Sequence, residues 1–269
     1  MEHALGLMCG AGILPARMAE EARRRGWRVV AFAFDDVNAV APYAARVVPA
    51  RLDELAPVLA TLQAEGLSAV LFSGRFSIGE VVRADAARAD VVSRGVVERT
   101  GSRIDARLVD TIIGTLAALG IEVLDQRPFF GDGLAPAGPW AGRAPSESEW
   151  SDIRQGLGVA RMIADARIGQ TVVVRHGVVT AVETVEGTTE AIRRGLAQAG
   201  AGAVIAKAAA HDHDYRFDVP AVGLETVETA IAGGAAVLAV EAGRVVVLDR
   251  GAIARAADAA GLALVGVEA

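Results

Sequence analysis

The sequence predicts an α/β fold: an N-terminal doubly wound, Rossmann-like parallel sheet followed by a C-terminal mixed-sheet α/β domain. Three observations carry this. Short apolar runs alternate with stretches of helical periodicity through the first half, which is the pattern of parallel strands joined by crossover helices. The Gly/Pro-dense stretch Gly131-Asp132-Gly133-Leu134-Ala135-Pro136-Ala137-Gly138-Pro139 then interrupts the alternation, as a loop or interdomain linker does. Beyond it, two-residue turn signals at His176-Gly177 and Ala242-Gly243 put hairpins among the helices, which a purely parallel sheet does not contain.

In order along the chain, residues 5–8 read as a buried strand, and residues 13–25 as an amphipathic helix ending before Gly26. Strands are expected at 28–33, 45–49 and 69–72, with a helix at 52–64 between the last two. A helix over 104–119 and a strand over 121–124 close the first domain, taken as residues 1–135. Residues 136–148 are the expected linker and 149–269 the second domain. There, Pro145-Ser146-Glu147-Ser148-Glu149 offers hydroxyl caps and early acids to a helix running to Ile163. Strands at 171–175 and 178–183 flank the first hairpin turn. A helix at 188–199, a strand at 203–206 and a helix at 224–232 follow. Strands at 236–240 and 244–248 form the second expected hairpin, and a helix and a strand finish the chain.

Composition narrows the function. The 269 residues are 52% apolar, enough for two cores, and no apolar run approaches the roughly 20 residues that cross a bilayer. Met1 to Gly10 carry no cationic start followed by a long apolar stretch, so no signal peptide is expected and the location is cytoplasmic. Cys9 is the single cysteine, which excludes an internal disulfide framework and a multi-cysteine metal site. The net charge of −6 comes without a basic block, and aromatics are 4%, so nucleic acid is not an expected partner.

Three places carry candidate chemistry. The first βα turn, Met8-Cys9-Gly10-Ala11-Gly12-Ile13-Leu14-Pro15, puts Gly10 and Gly12 where backbone approaches a ligand and N–H groups at a helix start favour a diphosphate. A plain tight turn reads equally well, since Pro15 stands where the dinucleotide fingerprint has its third glycine. A nicotinamide-dependent oxidoreductase resting on Gly10, Gly12 and the Asp35-Asp36 pair is the weakest reading. After the strand at 69–72, Ser73-Gly74-Arg75-Phe76-Ser77 reaches the same crevice, where Arg75 is suited to a forked phosphate contact or to plain solvation. The densest polar cluster runs from Lys207 to Asp218. Read as extended chain, it sets His211 and His213 on one face and Asp212 and Asp214 on the other. Carboxylates there suit Mg²⁺ or Mn²⁺ and histidines Zn²⁺ or Mn²⁺; the competing reading is a charged surface loop. Arg216 and Asp218, two apart and followed by Pro220, suit a carboxylate that binds a metal or activates water beside a phosphate.

Four stretches resemble the LpxI family of UDP-2,3-diacylglucosamine pyrophosphatases in lipid A biosynthesis. They are residues 5–15, Ile168-Gly169-Gln170-Thr171-Val172-Val173-Val174, Val182-Glu183-Thr184-Val185-Glu186-Gly187-Thr188, and Arg216-Phe217-Asp218-Val219-Pro220-Ala221-Val222-Gly223. The resemblance implies a two-domain hydrolase that uses Mg²⁺ (or Mn²⁺) to split the diphosphate of UDP-2,3-diacylglucosamine into UMP and 2,3-diacylglucosamine 1-phosphate. It makes Asp218 the essential aspartate. Arg216 is then the expected catalytic partner, Asp214 a second metal ligand, and Gly10, Gly12, Arg75, Gln170, Glu186, Gly187 and Thr188 substrate contacts. A nucleotide-sugar lipid is the expected partner, held in an apolar groove between the domains. That substrate adds transient contact with the inner-membrane surface and leaves homo-oligomerisation open. The sequence departs from the family pattern at Ser77-Ile78-Gly79, Thr189 and Ala210-His211-Asp212-His213. Those departures motivate the alternative of a non-catalytic or altered-specificity nucleotide-sugar or lipid-binding relative.

Overall fold

The computed structural model describes residues 3–35, 38–76, 90, 91, 93, 94 and 106–268. The chain divides into two compact units, Met1–Gly131 with Asp214–Asp218, and Asp132–His213 with Val219–Ala269. The described α/β elements match the predicted fold class. The expected helix at 104–119 appears as Ala106–Ala118, its first two positions lying outside the described residues. Asp36, Ser77, Ile78 and Gly79 lie outside them too.

In the first unit, strands β1 (Ala4–Cys9), β2 (Arg28–Ala33), β3 (Arg46–Pro49), β4 (Ala69–Ser73) and β5 (Glu122–Val123) form one sheet in the order β3-β2-β1-β4-β5. Every pairing is parallel. Alternate residues point to opposite faces, and the apolar sequence uses both. Leu5, Leu7, Val29, Ala31 and Leu71 pack with Met18 and Ala22 of α1 (Leu14–Arg24). Met8, Val30, Phe32 and Val70 pack instead with Val58 and Leu62 of α2 (Leu55–Ala64) and Leu116 of α3 (Ala106–Ala118). The chain moves outward from β1 to β3 and then crosses back to β4. The carboxyl ends of β1 and β4 are therefore the switch point at which open sheets of this kind accept ligands.

The second unit holds a six-stranded mixed sheet, ordered β6 (Gly138–Ala141), β13 (Ala263–Val267), β11 (Val237–Glu241), β9 (Val204–Lys207), β7 (Thr171–Arg175), β8 (Val178–Val182). Its centre, β13-β11-β9, is parallel and its flanks are antiparallel. Helix α4 (Glu147–Asp165) covers one face through Ile153, Leu157 and Ala160. The other face carries α5 (Thr188–Ala199), α6 (Leu224–Ala232) and α7 (Arg250–Ala260), through Ile192, Leu196, Val227 and Ile253. The α4 start is a capping box, with Ser146 accepting from the Glu149 amide while Glu149 accepts from the Ser146 amide. The β7–β8 turn places His176 at φ 50 and Gly177 at φ 75, the positive pair that a two-residue hairpin needs.

Two expectations are corrected here. The second hairpin does not form: β11 pairs with β9 and β13, while β12 (Val246–Val247) pairs in parallel with β10 (Ala221–Val222). Ala242-Gly243 does turn the chain, but Val245 and Val247 are buried in the helix-covered core. That burial and the amide bonds from Val246 to Pro220 and from Val247 to Gly133 hold the segment away from its sequence neighbour. The segment 136–148 also contains a strand, since β6 pairs antiparallel with β13 despite its glycines and prolines. Pro139 is tolerated because β6 is an edge strand.

Candidate active site

At the switch point of the first unit the backbone closes on itself. The Gly10 amide donates to Ser73 O, and Ala11 and Arg75 exchange two backbone bonds of 2.8 and 2.9 Å. A side chain at Gly10 would meet the Arg75 carbonyl oxygen at 2.6 Å, so here glycine permits the approach of another loop of the same unit. Gly12 differs: it has φ +100 and open space where a Cβ would stand. Ser73, 2% exposed, has a hydroxyl without a hydrogen-bond partner among the described residues.

The segment Asp214–Asp218, although late in the sequence, packs with this unit. Phe217 is its anchor. Its ring lies 4.6 Å from that of Phe72, which also faces Phe76, and Phe76 in turn meets Phe34. Tyr215 is buried, and its carbonyl accepts from the Gln126 amide just beyond β5. The segment therefore lies at the carboxyl-end edge of the parallel sheet.

Its conformation corrects the extended reading. Asp214 Oδ1 accepts from the Arg216 amide and Asp214 O from the Phe217 amide, so the chain turns at once. Asp218 is exposed, and it sits at φ 46, one of four non-glycine residues with positive φ among the described residues. Left-handed backbone at a residue with a side chain is a strained state that the surroundings must hold, and such residues cluster at functional sites. The apolar docking of Phe217 on one side and Pro220, buried, on the other holds it.

Arg216 is fixed by Asp214 in a fork, with Nε 2.9 and 3.1 Å from the two carboxylate oxygens and Nη2 at 2.7 Å. The same device occurs a second time in this unit. In Asp125-Gln126-Arg127, the Arg127 amide and Nε bond the Asp125 carboxylate at 2.7, 2.9 and 3.1 Å. The two Asp-x-Arg motifs meet at their middle residues: Gln126 bonds Tyr215, and the Arg127 guanidinium stacks 4.7 Å from the Tyr215 ring centroid. Partial burial acts to raise the Asp125 pKa, but the Arg127 guanidinium outweighs it and holds the carboxyl below its usual range. The Asp214 carboxylate raises the pKa of Arg216 in the complementary sense. Asp125 and Arg127 were missed in the sequence, although the repeated Asp-x-Arg spacing was there to find.

The remaining sequence-predicted residues lie in the second unit. Glu186 is clamped by Thr184 and by Arg194 at 2.5 Å, and these partners bring its pKa down to about 2. Gly187, at φ 82, is the N-cap of α5, and Thr188 is that helix's first residue. Thr188 Oγ1 donates to Glu183 Oε1 at 2.8 Å, and the Gln170 amide donates to Glu183 Oε2 at 3.2 Å. Gln170 and Thr188 are thus brought together by Glu183, which was quoted in a motif without a role. Lys207 also joins them, although in the sequence it marked only the start of the polar cluster. The two histidines part company: His211 is latched to Asp165 through both its amide and Nδ1, at 2.8 and 2.7 Å.

For a metal ion the donors are sparse. Among the described residues no group of three or more His, Cys, Asp and Glu is placed to hold an ion. Asp214 spends both oxygens on Arg216, and His211 is bonded to Asp165. Asp218, exposed, is the carboxylate that would meet an ion carried in by a phosphate ligand.

Fold and site describe a two-unit α/β protein with an aspartate–arginine segment at the switch-point edge of a parallel sheet. The LpxI N-terminal domain family matches residues 4–132 and the LpxI C-terminal domain family residues 136–265. The chain belongs to the LpxI family. It is 32% identical to the UDP-2,3-diacylglucosamine pyrophosphatase LpxI of Caulobacter vibrioides over 98% of this chain and 97% of that one. Among solved structures, glycinamide-RNase-transformylase T from Mycobacterium tuberculosis matches 65% of this chain at 16% identity and TM-score 0.25. An N5-carboxyaminoimidazole synthetase from Staphylococcus aureus matches 68% at 14% and TM-score 0.25. The chain spans 42% and 41% of these two, and likeness at that level carries no argument about function.

Proposed function

We propose that this chain hydrolyses the diphosphate of UDP-2,3-diacylglucosamine, releasing UMP and 2,3-diacylglucosamine 1-phosphate. Membership of the LpxI family and the named activity of the Caulobacter vibrioides relative support the reaction. The observation that carries the residue assignment is Asp218, exposed and left-handed, two residues from an arginine already locked in a carboxylate fork.

Asp218 is the group that acts on the attacking water. An exposed carboxylate accepts its proton, and the left-handed backbone sets where that residue stands in the turn. Arg216 binds the phosphoryl group under attack and stabilises the negative charge that builds there. Because Asp214 holds that guanidinium in one orientation, little reorganisation is needed during the reaction. Arg127, held by Asp125, supplies a second fixed guanidinium in the same unit. Asp218 would hold a Mg²⁺ ion, whose contribution would be neutralisation of substrate charge and a water of lowered pKa. The substrate's acyl chains favour transient contact with the membrane surface; among the described residues no helix is long and apolar enough to cross one.

Asp218→Ala is expected to reduce UMP release from UDP-2,3-diacylglucosamine by at least about 10³-fold, the scale of losing a catalytic acid–base group, while substrate still binds. Turnover in that variant equal to the parent protein overturns the assignment. A parent protein that binds the substrate with Mg²⁺ present and releases no UMP is a binding relative instead, and the departures at Thr189 and His211 are where that loss would be sought.

A further inference from the structure

The carboxyl end of β4 buries a hydroxyl that bonds nothing. Ser73, the last residue of β4, is 2% exposed, and its Oγ has no hydrogen-bond partner among the described residues. A buried donor left in that state is unfavourable and calls for an explanation. Side chains alternate along a strand, so Ser73 shares a face with Ala69 and Leu71, which pack with Met18, Ala19 and Ala22 of α1. Its register partner in β1, Cys9, belongs to the same cluster. The hydroxyl therefore lies on the α1 side of the sheet, at the end where β1 turns into α1.

Close approach of the two loops brings the start of α1 to the same spot. A Cβ on Gly74, at φ +83, would meet Ala11 O at 2.7 Å and Pro15 Cγ at 2.8 Å, so the first turn of α1 lies against the residue after Ser73. That turn has neither a side-chain cap nor an acidic residue. The first amides of a helix find no carbonyl within it, and the helix dipole adds positive character at that end. Gly12, just before the turn, has φ +100 and nothing within 4 Å of a Cβ position, so its backbone borders open space. Arg75 is exposed and is tied through its backbone to Ala11, which starts its side chain beside the same turn. A buried donor, an uncapped helix start, an open glycine and a cation thus meet at one edge of the first unit.

We propose that Ser73 and the α1 N-terminus form a seat for a phosphate oxyanion, with Arg75 as its counter-charge. The Ser73 hydroxyl donates the hydrogen bond it otherwise lacks, the first-turn amides supply directed N–H groups, and the guanidinium neutralises charge. Gly12 leaves the approach clear of a side chain. Ser73 and Arg75 are substrate-binding residues, whereas Gly10, whose missing Cβ makes room for the Arg75 carbonyl, is a packing residue. That the anion is part of a nucleotide-sugar diphosphate rests on the hydrolase reading above; that a phosphate binds here does not.

The test uses the full chain with inorganic pyrophosphate as the probe in isothermal titration, alongside steady-state hydrolysis of UDP-2,3-diacylglucosamine. Ser73→Ala removes a donor that bonds nothing in the fold, so the melting temperature without ligand should equal or exceed that of the parent chain. Pyrophosphate binding should weaken about tenfold in this variant, the scale of one hydrogen bond to a charged group. KM should rise with kcat less affected, the reverse of Asp218→Ala. Arg75→Gln should weaken the probe as well, and Arg75→Lys should restore part of that loss. Should Ser73→Ala fail to fold, Ser73→Cys, similar in size and a weak donor, takes its place with the same expectation. Parent-like pyrophosphate affinity in the folded Ser73 variant overturns the seat, whatever the Arg75 variants do, and leaves the hydrolase reading intact. A parent chain that binds no pyrophosphate overturns it too. Binding that depends on Ser73 in a protein that releases no UMP sinks the hydrolase reading and leaves the seat standing.

Discussion

Glu149 shows how one side chain performs two jobs. It accepts the Ser146 amide in the α4 capping box and forms an ion pair with Arg143, whose Nη1 lies 2.7 Å from Oε2. The Arg143 guanidinium, chiefly, holds its pKa down to about 2 from the ordinary 4.5, and its side chain is 15% exposed. A depressed carboxylate pKa stabilises the fold above the unfolded value, and that contribution is lost as pH falls from about 4.5 through about 2. The shift corresponds to about 2–3 kcal/mol once screening is allowed for. Glu149→Gln should therefore lower the urea midpoint at pH 7 and flatten the fall in stability between pH 4.5 and 2. An unchanged midpoint at pH 7 would show that the pair contributes nothing. The strain at Asp218 belongs to the same scale. No residue-type pattern announces a left-handed aspartate, because its φ is set by the turn that Asp214 starts and by the docking of Phe217.

At the scale of elements, two glycines of the second unit make a matched pair. Gly195 in α5 faces β7 and β8, and a Cβ there would meet Val173 side-chain atoms at 2.6 Å and Ala181 Cβ at 2.9 Å. Overpacking of that kind costs about 1–3 kcal/mol, more than the roughly 1 kcal/mol that alanine gains in helix propensity. Gly158 in α4 has nothing within 4 Å of such an atom, so only the propensity gain applies. Gly195→Ala should lower the melting temperature and Gly158→Ala should raise it; the same sign for both would refute the packing argument. Helices of this chain were readable because their apolar period, caps and terminal glycines lie within one segment. The expected bounds 188–199 and 224–232 agree with α5 and α6. β6 was not readable as a strand, and the strand expected at 244–248 was readable but not its partner, since each pairing is made with a segment distant in sequence: β13 for β6, and β10 for β12.

For the whole molecule, the single cysteine offers a probe of the first unit. Cys9, the last residue of β1, is 3% exposed, and burial pushes its thiol pKa up to about 12. A raised thiol pKa leaves little thiolate at neutral pH, and burial bars reagents from what remains. A thiol reagent at pH 8 should leave the native chain unmodified and label it fully in denaturant. The labelling rate at intermediate urea should follow loss of the first unit's sheet. Rapid stoichiometric labelling of the native chain would mean that the β1 edge opens readily.

The sequence alone determined the α/β class, most element bounds and the stretches by which the family resemblance was seen. Each of these is written in local periodicity, in turn chemistry or in short contiguous motifs. Tertiary structure alone decided that Asp214–Asp218 packs with the first unit, that Arg127 stacks on Tyr215 and that Thr171 and Lys207 are register partners on one face of the sheet. The reason is physical: packing and strand register join residues that are far apart in the chain. The cost of a buried charge or an unsatisfied hydroxyl exists only once those neighbours are in place.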